Sequence, residues 1–208
     1  MNSESRRSLP LLWVSLLLVV LALILRWFKL ESPGMTLLPN FGPWMALAFT
    51  GTLVFPRTLP WWVWPVSLAA VDFAAQGMGM WSLADGRWEV FLSYGCYGLA
   101  AWVASRWRGR VNAVQTLLGV AGCSVVFYVV SNSLCWWVKP YYAKDLSGWV
   151  QALIAGTPGF PPSWMFFRNS LVSDLGFSIM LLLAFNAEAR VRSTLPIPWV
   201  RQPGRVAA

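Results

Sequence analysis

Apolar residues fall in long blocks along this chain, and Pro, Gly and Arg mark the breaks between them. The blocks fit helices rather than the alternating segments of a barrel, and most approach the ~20 residues that cross a bilayer. They predict six helices, at residues 9–29, 40–56, 61–76, 88–107, 111–138 and 164–186. The first block follows Arg6 and Arg7 and runs into Arg26-Trp27-Phe28-Lys29 without a small-residue cleavage site, so it reads as a transmembrane helix and not a signal peptide. Pro43 sits near the start of the second, where a missing N–H does least harm. The third opens on Trp61, Trp62 and Trp64, residues suited to a membrane interface, and the other tryptophans of the loops fit the same belt. Ala70 and Ala74 form a small-xxx-small pair that would let another helix approach closely. The expected fold class is an all-α membrane protein. Residues 1–187 form a single six-helix transmembrane domain, and 188–208 a basic, proline-broken tail that reads as disordered.

Composition makes the membrane reading firm. Of 208 residues, 57% are hydrophobic and 12% charged, too little charge to cover a soluble domain. The net charge of +8 would suit nucleic acid, but in a membrane protein basic residues gather in cytoplasmic loops and set orientation. Ten of the 16 Lys and Arg residues fall at the two termini, Arg57 and Arg106–Arg110, and the other six on the opposite face. The positive-inside rule therefore puts both termini in the cytoplasm. The chain has no histidine, which removes histidine-ligated haem, zinc proteolysis and histidine-based triads. Its three cysteines are too few and too irregular for a disulfide framework or a zinc site, and there is no phosphate-binding P-loop.

The unusual residues gather at the predicted outer face. The stretch from Ser131 to Asp174 is polar, aromatic and proline-rich between two apolar helices, with Asn132, Cys135 and Trp136 at one rim and Arg168, Asn169 and Asp174 at the other. Asn40 and Asp72 lie at the same level. Carboxylates inside apolar helices face a bundle interior or water. Asp174 reads equally as a ligand contact and as an interhelical clamp with Arg168. For Asp72 the clamp is the stronger reading. Asn132 and Asn169 can hold a ligand amide or a neighbouring backbone, the second being slightly favoured. Cys96 lies in Ser-Tyr94-Gly-Cys96-Tyr97-Gly, where flanking glycines leave room for a flat ligand beside a thiol, although most lone cysteines are packing residues.

Several motifs together carry a resemblance. Leu38-Pro39-Asn40-Phe41-Gly42-Pro43, Ala46–Gly51, Val71-Asp72, Ser131-Asn132 and Phe167–Asp174 occur in order on separate predicted helices. In these the chain resembles a family of small bacterial membrane proteins that looks like the substrate-binding S-components of energy-coupling-factor (ECF) vitamin transporters. The resemblance implies a bacterial inner-membrane bundle that binds a vitamin from outside. Its partners would be a coupling subunit and two ATPases, or none in a solitary member. It is similar in size to the solitary cobalamin-binding S-components (BtuM), which implies a corrinoid ligand and carries Cys96 over as the cobalt ligand. Substrate contacts would be Asn40, Asp72, Tyr94, Cys96, Tyr97, Asn132, Trp136, Arg168, Asn169 and Asp174. The first helix lacks the Ala-x-x-x-Ala contact of many S-components, which suits a solitary member. The alternatives are a membrane enzyme using Asp72, Arg168 and Asp174 on a lipid-linked substrate, and a membrane scaffold.

Overall fold

The helix pattern of the sequence is realised around one segment, Trp44–Val54, that is buried at every residue but Leu53. A computed structural model describes residues 13–31, 41–79, 90–157 and 159–200. Among these residues the chain is entirely helical, with seven helices: α1 (Trp13–Glu31), α2 (Trp44–Val54), α3 (Val63–Gly77), α4 (Val90–Trp107), α5 (Ala113–Val138), α6 (Leu146–Leu153) and α7 (Ser163–Val191). Two of them, α5 and α7, are long and apolar enough to cross a membrane. A helix apolar on every side belongs inside a bundle, and α2 packs against α3, α4, α5 and α7. Its middle, Leu47–Gly51, widens into a π-helical turn. Two glycines allow the tight fit: a Cβ on Gly51 would lie 2.9 Å from the Trp64 ring, and one on Gly119 of α5 would lie 2.4 Å from Phe49.

Polar groups fasten this centre. Thr50 Oγ1 donates to Ser178 Oγ of α7 at 2.9 Å, and Arg108 donates to the Thr52 carbonyl near the end of α2. The outer surface is apolar: Trp13, Leu17, Val20 and Ile24 of α1 and Leu118, Val126 and Val130 of α5 are exposed.

Three sequence expectations are corrected here. Trp64 is a core residue against Phe55 and Gly51, not part of an interfacial belt. Ala70 and Ala74 face outward; the inner stripe of α3 is Trp64, Leu68, Asp72 and Ala75. The tail is ordered as far as Val200: Asn186 clasps the backbone of Ile197 with two bonds of 2.8 Å. The Pro198 carbonyl then accepts from the Ala113 N–H at 2.8 Å, and the Trp199 carbonyl from Val114 at 3.4 Å. The first turn of α5 needs such acceptors. An Asn112–Gln115 capping box supplies the rest and starts α5 at Ala113, two residues later than expected.

Candidate functional site

At one end of the bundle is a cavity of about 460 Å³, within the range of small-molecule pockets. It is met by the C-terminal halves of α1 and α5 and the N-terminal halves of α2, α4 and α7, as expected of helices that alternate in direction. More than half of its lining residues come from Ser131–Asp174. The walls are aromatic: Tyr128 stacks on Phe167 with centroids 4.6 Å apart, and Tyr97 tilts against Phe127 at 5.4 Å. Ser124, Ser131, Asn132, Thr157 and Ser170 add hydrogen-bonding groups between the rings.

Asp174 forms part of the cavity wall and is 4% exposed. Its Oδ1 accepts from the backbone N–H groups of Met45 and Ala46 at 3.1 and 3.2 Å, and its Oδ2 accepts from Ser124 Oγ at 3.0 Å. α2 starts after Pro43, which offers no side-chain cap, so its first N–H groups need an acceptor from elsewhere. Asp174 of α7 supplies it across the bundle. A negative charge at a helix N-terminus is also favoured by the helix dipole.

Beside it, Arg26 of α1 reaches Asp72 of α3 in a two-pronged pair, Nε to Oδ1 and Nη2 to Oδ2, both at 2.7 Å. The Tyr94 hydroxyl of α4 donates to Asp72 Oδ2 at 2.9 Å, so one carboxylate ties three helices together. Arg26 also borders the cavity, whereas Asp72 is 1% exposed and lies behind it. Planar guanidinium–carboxylate pairs of this kind combine charge with fixed geometry.

The described residues of the α5–α7 connection (139–157 and 159–162), with α6 among them, form a lid-like wall of the cavity through Tyr141, Tyr142, Gly156, Thr157, Phe160 and Pro161. Gly156 ends α6 at φ +72°, with its N–H donating to Gln151 O at 2.8 Å; a side chain there would meet Ser163. The lid is tied down by Trp149 Nε1 to Ser133 Oγ at 2.9 Å, Trp136 Nε1 to Ala143 O at 2.7 Å, and a Tyr128–Leu153 bond. Asp145 caps α6, accepting from Gly148 N at 2.8 Å and Ser147 Oγ at 2.9 Å. Gly148 is required by close approach: a Cβ there would lie 2.0 Å from Ala143 O. The Gly148 and Ser147 donors hold the Asp145 carboxyl below its ordinary pKa. A depressed carboxyl stabilises the fold above its unfolded pKa and loses that contribution as pH falls through the folded value. Asp145→Ala is therefore expected to speed proteolysis within 139–162 at neutral pH. Wild type should approach the variant's rate only in acid, and equal rates at pH 7 would exclude a capping role.

The sequence of residues 6–195 matches a family described as "Family of unknown function (DUF6580)". The chain belongs to that family. No curated protein and no solved structure matches it. The matched part of this DUF6580 chain spans all seven helices and ends inside the tail that straps α7 to α5.

Of the substrate contacts expected for this DUF6580 protein, the structure brings Tyr97, Asn132 and Asp174 to the cavity. Asn132 Nδ2 also donates to Tyr128 O of its own helix at 2.9 Å. Asn40 lies outside the described residues. Asp72 and Tyr94 belong to the clamp, and Trp136 anchors the lid. The expected clamp of Arg168 with Asp174 or Asp72 is not formed: Arg168 is exposed, donates to Asn169 Oδ1 at 3.3 and 3.2 Å, and lies over Trp164. Asp72 pairs instead with Arg26, which the sequence reading counted only as a flanking charge. Cys96 does not reach the cavity; it lines an apolar groove on the side of the bundle with Cys123, and the cysteine on the cavity wall is Cys135. Of the two glycines beside Cys96, Gly98 packs toward Pro65 and Trp61, whereas a Cβ on Gly95 would meet nothing within 4 Å.

Proposed function

We propose that the protein is a membrane-embedded solute-binding component, of the S-component type, that captures a small flat molecule of the vitamin class. In this reading α1–α5 and α7 are six spans of a bacterial inner membrane, both termini are cytoplasmic, and the cavity opens toward the outside. The observation that carries it is the lidded cavity of about 460 Å³, with stacked aromatic walls and a few polar groups between them. Such a composition binds a planar ring by stacking and reads its polar edge by hydrogen bonds. The basic residues support the orientation: Arg26, Lys139, Lys144 and Arg168 lie at the cavity end, and Arg57, Arg106, Arg108 and Arg110 at the other. The coupling subunit and ATPases, or their absence in a solitary member, belong to the same proposal.

The cavity favours a ligand smaller than cobalamin, whose corrin ring and nucleotide loop exceed its volume. Were a corrinoid nevertheless bound, Cys135 would be the thiol within reach, not Cys96. A lipid-modifying enzyme gains less from this geometry, because Asp72, Arg168 and Asp174 are engaged by three different sets of neighbours.

The test is mass spectrometry and absorbance of the full chain purified from cells grown with a vitamin mixture that includes corrinoids. A co-purifying vitamin near one per protein, lost in Ser170→Trp, is the expected result. An empty wild type whose melting temperature no vitamin raises would overturn the proposal.

A further inference from the structure

A further cavity lies on the side of the molecule, between α4 and α5, with Phe49 of α2 at its base. It measures about 840 Å³ and is mostly apolar, with Arg110 and Gln115 among its lining residues. Its length follows from the helices: Trp107 lies 11 positions beyond Cys96 along α4, about 17 Å at ~1.5 Å per residue. Antiparallel α5 runs beside it from Gln115 to Val126 over the same distance. One leaflet of a bilayer has roughly 15 Å of hydrocarbon, half the ~30 Å core. The groove is therefore as long as one acyl chain. Gly122 keeps it open, since a Cβ there would meet nothing within 4 Å.

The chemistry of the ends differs. At the end far from the solute cavity the lining includes Arg110, whose side chain is exposed and forms no ion pair among the described residues. Its neighbours are also basic. Arg106 lies 4.9 Å from the Trp102 ring and Arg108 donates to Thr52 O. Burial lowers the pKa of Arg108, and nearby Arg57 adds to the shift. A cationic rim on an acyl-length groove complements a molecule with an anionic head and an apolar tail.

We propose that the α4–α5 groove is a binding site for an anionic glycerophospholipid, with one acyl chain along Leu99, Leu118 and Gly122 and its phosphate at Arg110. The site shares the membrane placement of the proposed function but not its ligand, and of the described residues its lining has Phe127 in common with the solute cavity.

The test is native mass spectrometry of the full chain in detergent, after incubation with phosphatidylglycerol or with phosphatidylcholine of the same acyl chains. One phosphatidylglycerol should be retained and phosphatidylcholine displaced. Arg110→Gln should reduce retention about fivefold, the weight of one basic contact with an anionic surface. Gly122→Phe should abolish it by filling the groove, with the melting temperature of the delipidated protein kept. Equal retention of the two lipids, or retention undiminished in both variants, would overturn the site. Vitamin binding, measured on the same Gly122→Phe protein, should persist, so failure of one site is distinguishable from failure of the other.

Discussion

Asp174→Ala is expected to cost on the order of 3–5 kcal/mol of stability, because it orphans three buried donors at once. Those donors are the Met45 and Ala46 N–H groups and the Ser124 hydroxyl. All three sit in nearly buried positions, Met45 being 2%, Ala46 0% and Ser124 4% exposed. The loss falls on the start of α2, the segment around which the other helices pack. Asp174→Asn keeps an oxygen for the two N–H groups and an amide that can donate to Ser124. It should recover much of the loss. Thermal unfolding of the three proteins in one detergent checks this, and equal melting temperatures for wild type and Asp174→Ala would mean that α2 needs no cap from α7. Asp145 is no neutral control for the comparison, because it caps α6. Ser193, exposed in the turn after α7, is a better one.

The second large effect concerns Arg26. Removing one partner of a buried ion pair typically costs ~3–5 kcal/mol, because the other charge is left uncompensated. Asp72 is 1% exposed, and the Tyr94 hydroxyl does not neutralise its charge once Arg26 is gone, so Arg26→Leu should fall in that range. Arg26→Leu combined with Asp72→Leu removes both charges and should be more stable than Arg26→Leu alone. The cycle should give a coupling energy above about 1 kcal/mol, whereas groups that do not interact add within ~0.5 kcal/mol. Additive losses would dissolve the clamp. Arg168→Leu, which removes the cation that sequence position offers to the clamp, should change stability little, its guanidinium being exposed on Asn169 and Trp164.

These two predictions mark where the linear chain stops being informative. By itself the sequence determined the helical class, the position of every long helix to within a few residues, and the end at which polar and aromatic residues collect. Apolar blocks of membrane length are local signals, and so are the prolines and arginines that bound them. The Asn112–Gln115 capping box is a local signal of the same kind, three residues apart on one turn, but the expected start at residue 111 overlooked it. The tertiary structure alone decided which charges meet. Asp72 and Arg26 are 46 positions apart, and Asp174 and Met45 are 129 apart. Several cations and carboxylates share one end of the bundle, so sequence position cannot choose among pairings; helix rotation does. The same rotation turned Cys96 to the outer groove, Trp64 into the core, and Ala70 and Ala74 outward. Helices that are apolar on nearly all sides give no moment from which to read an inward face, because core and lipid offer a side chain similar surroundings. The tail was misread for a related reason: its order comes from Asn186 and the first amides of α5, partners that its own composition does not reveal.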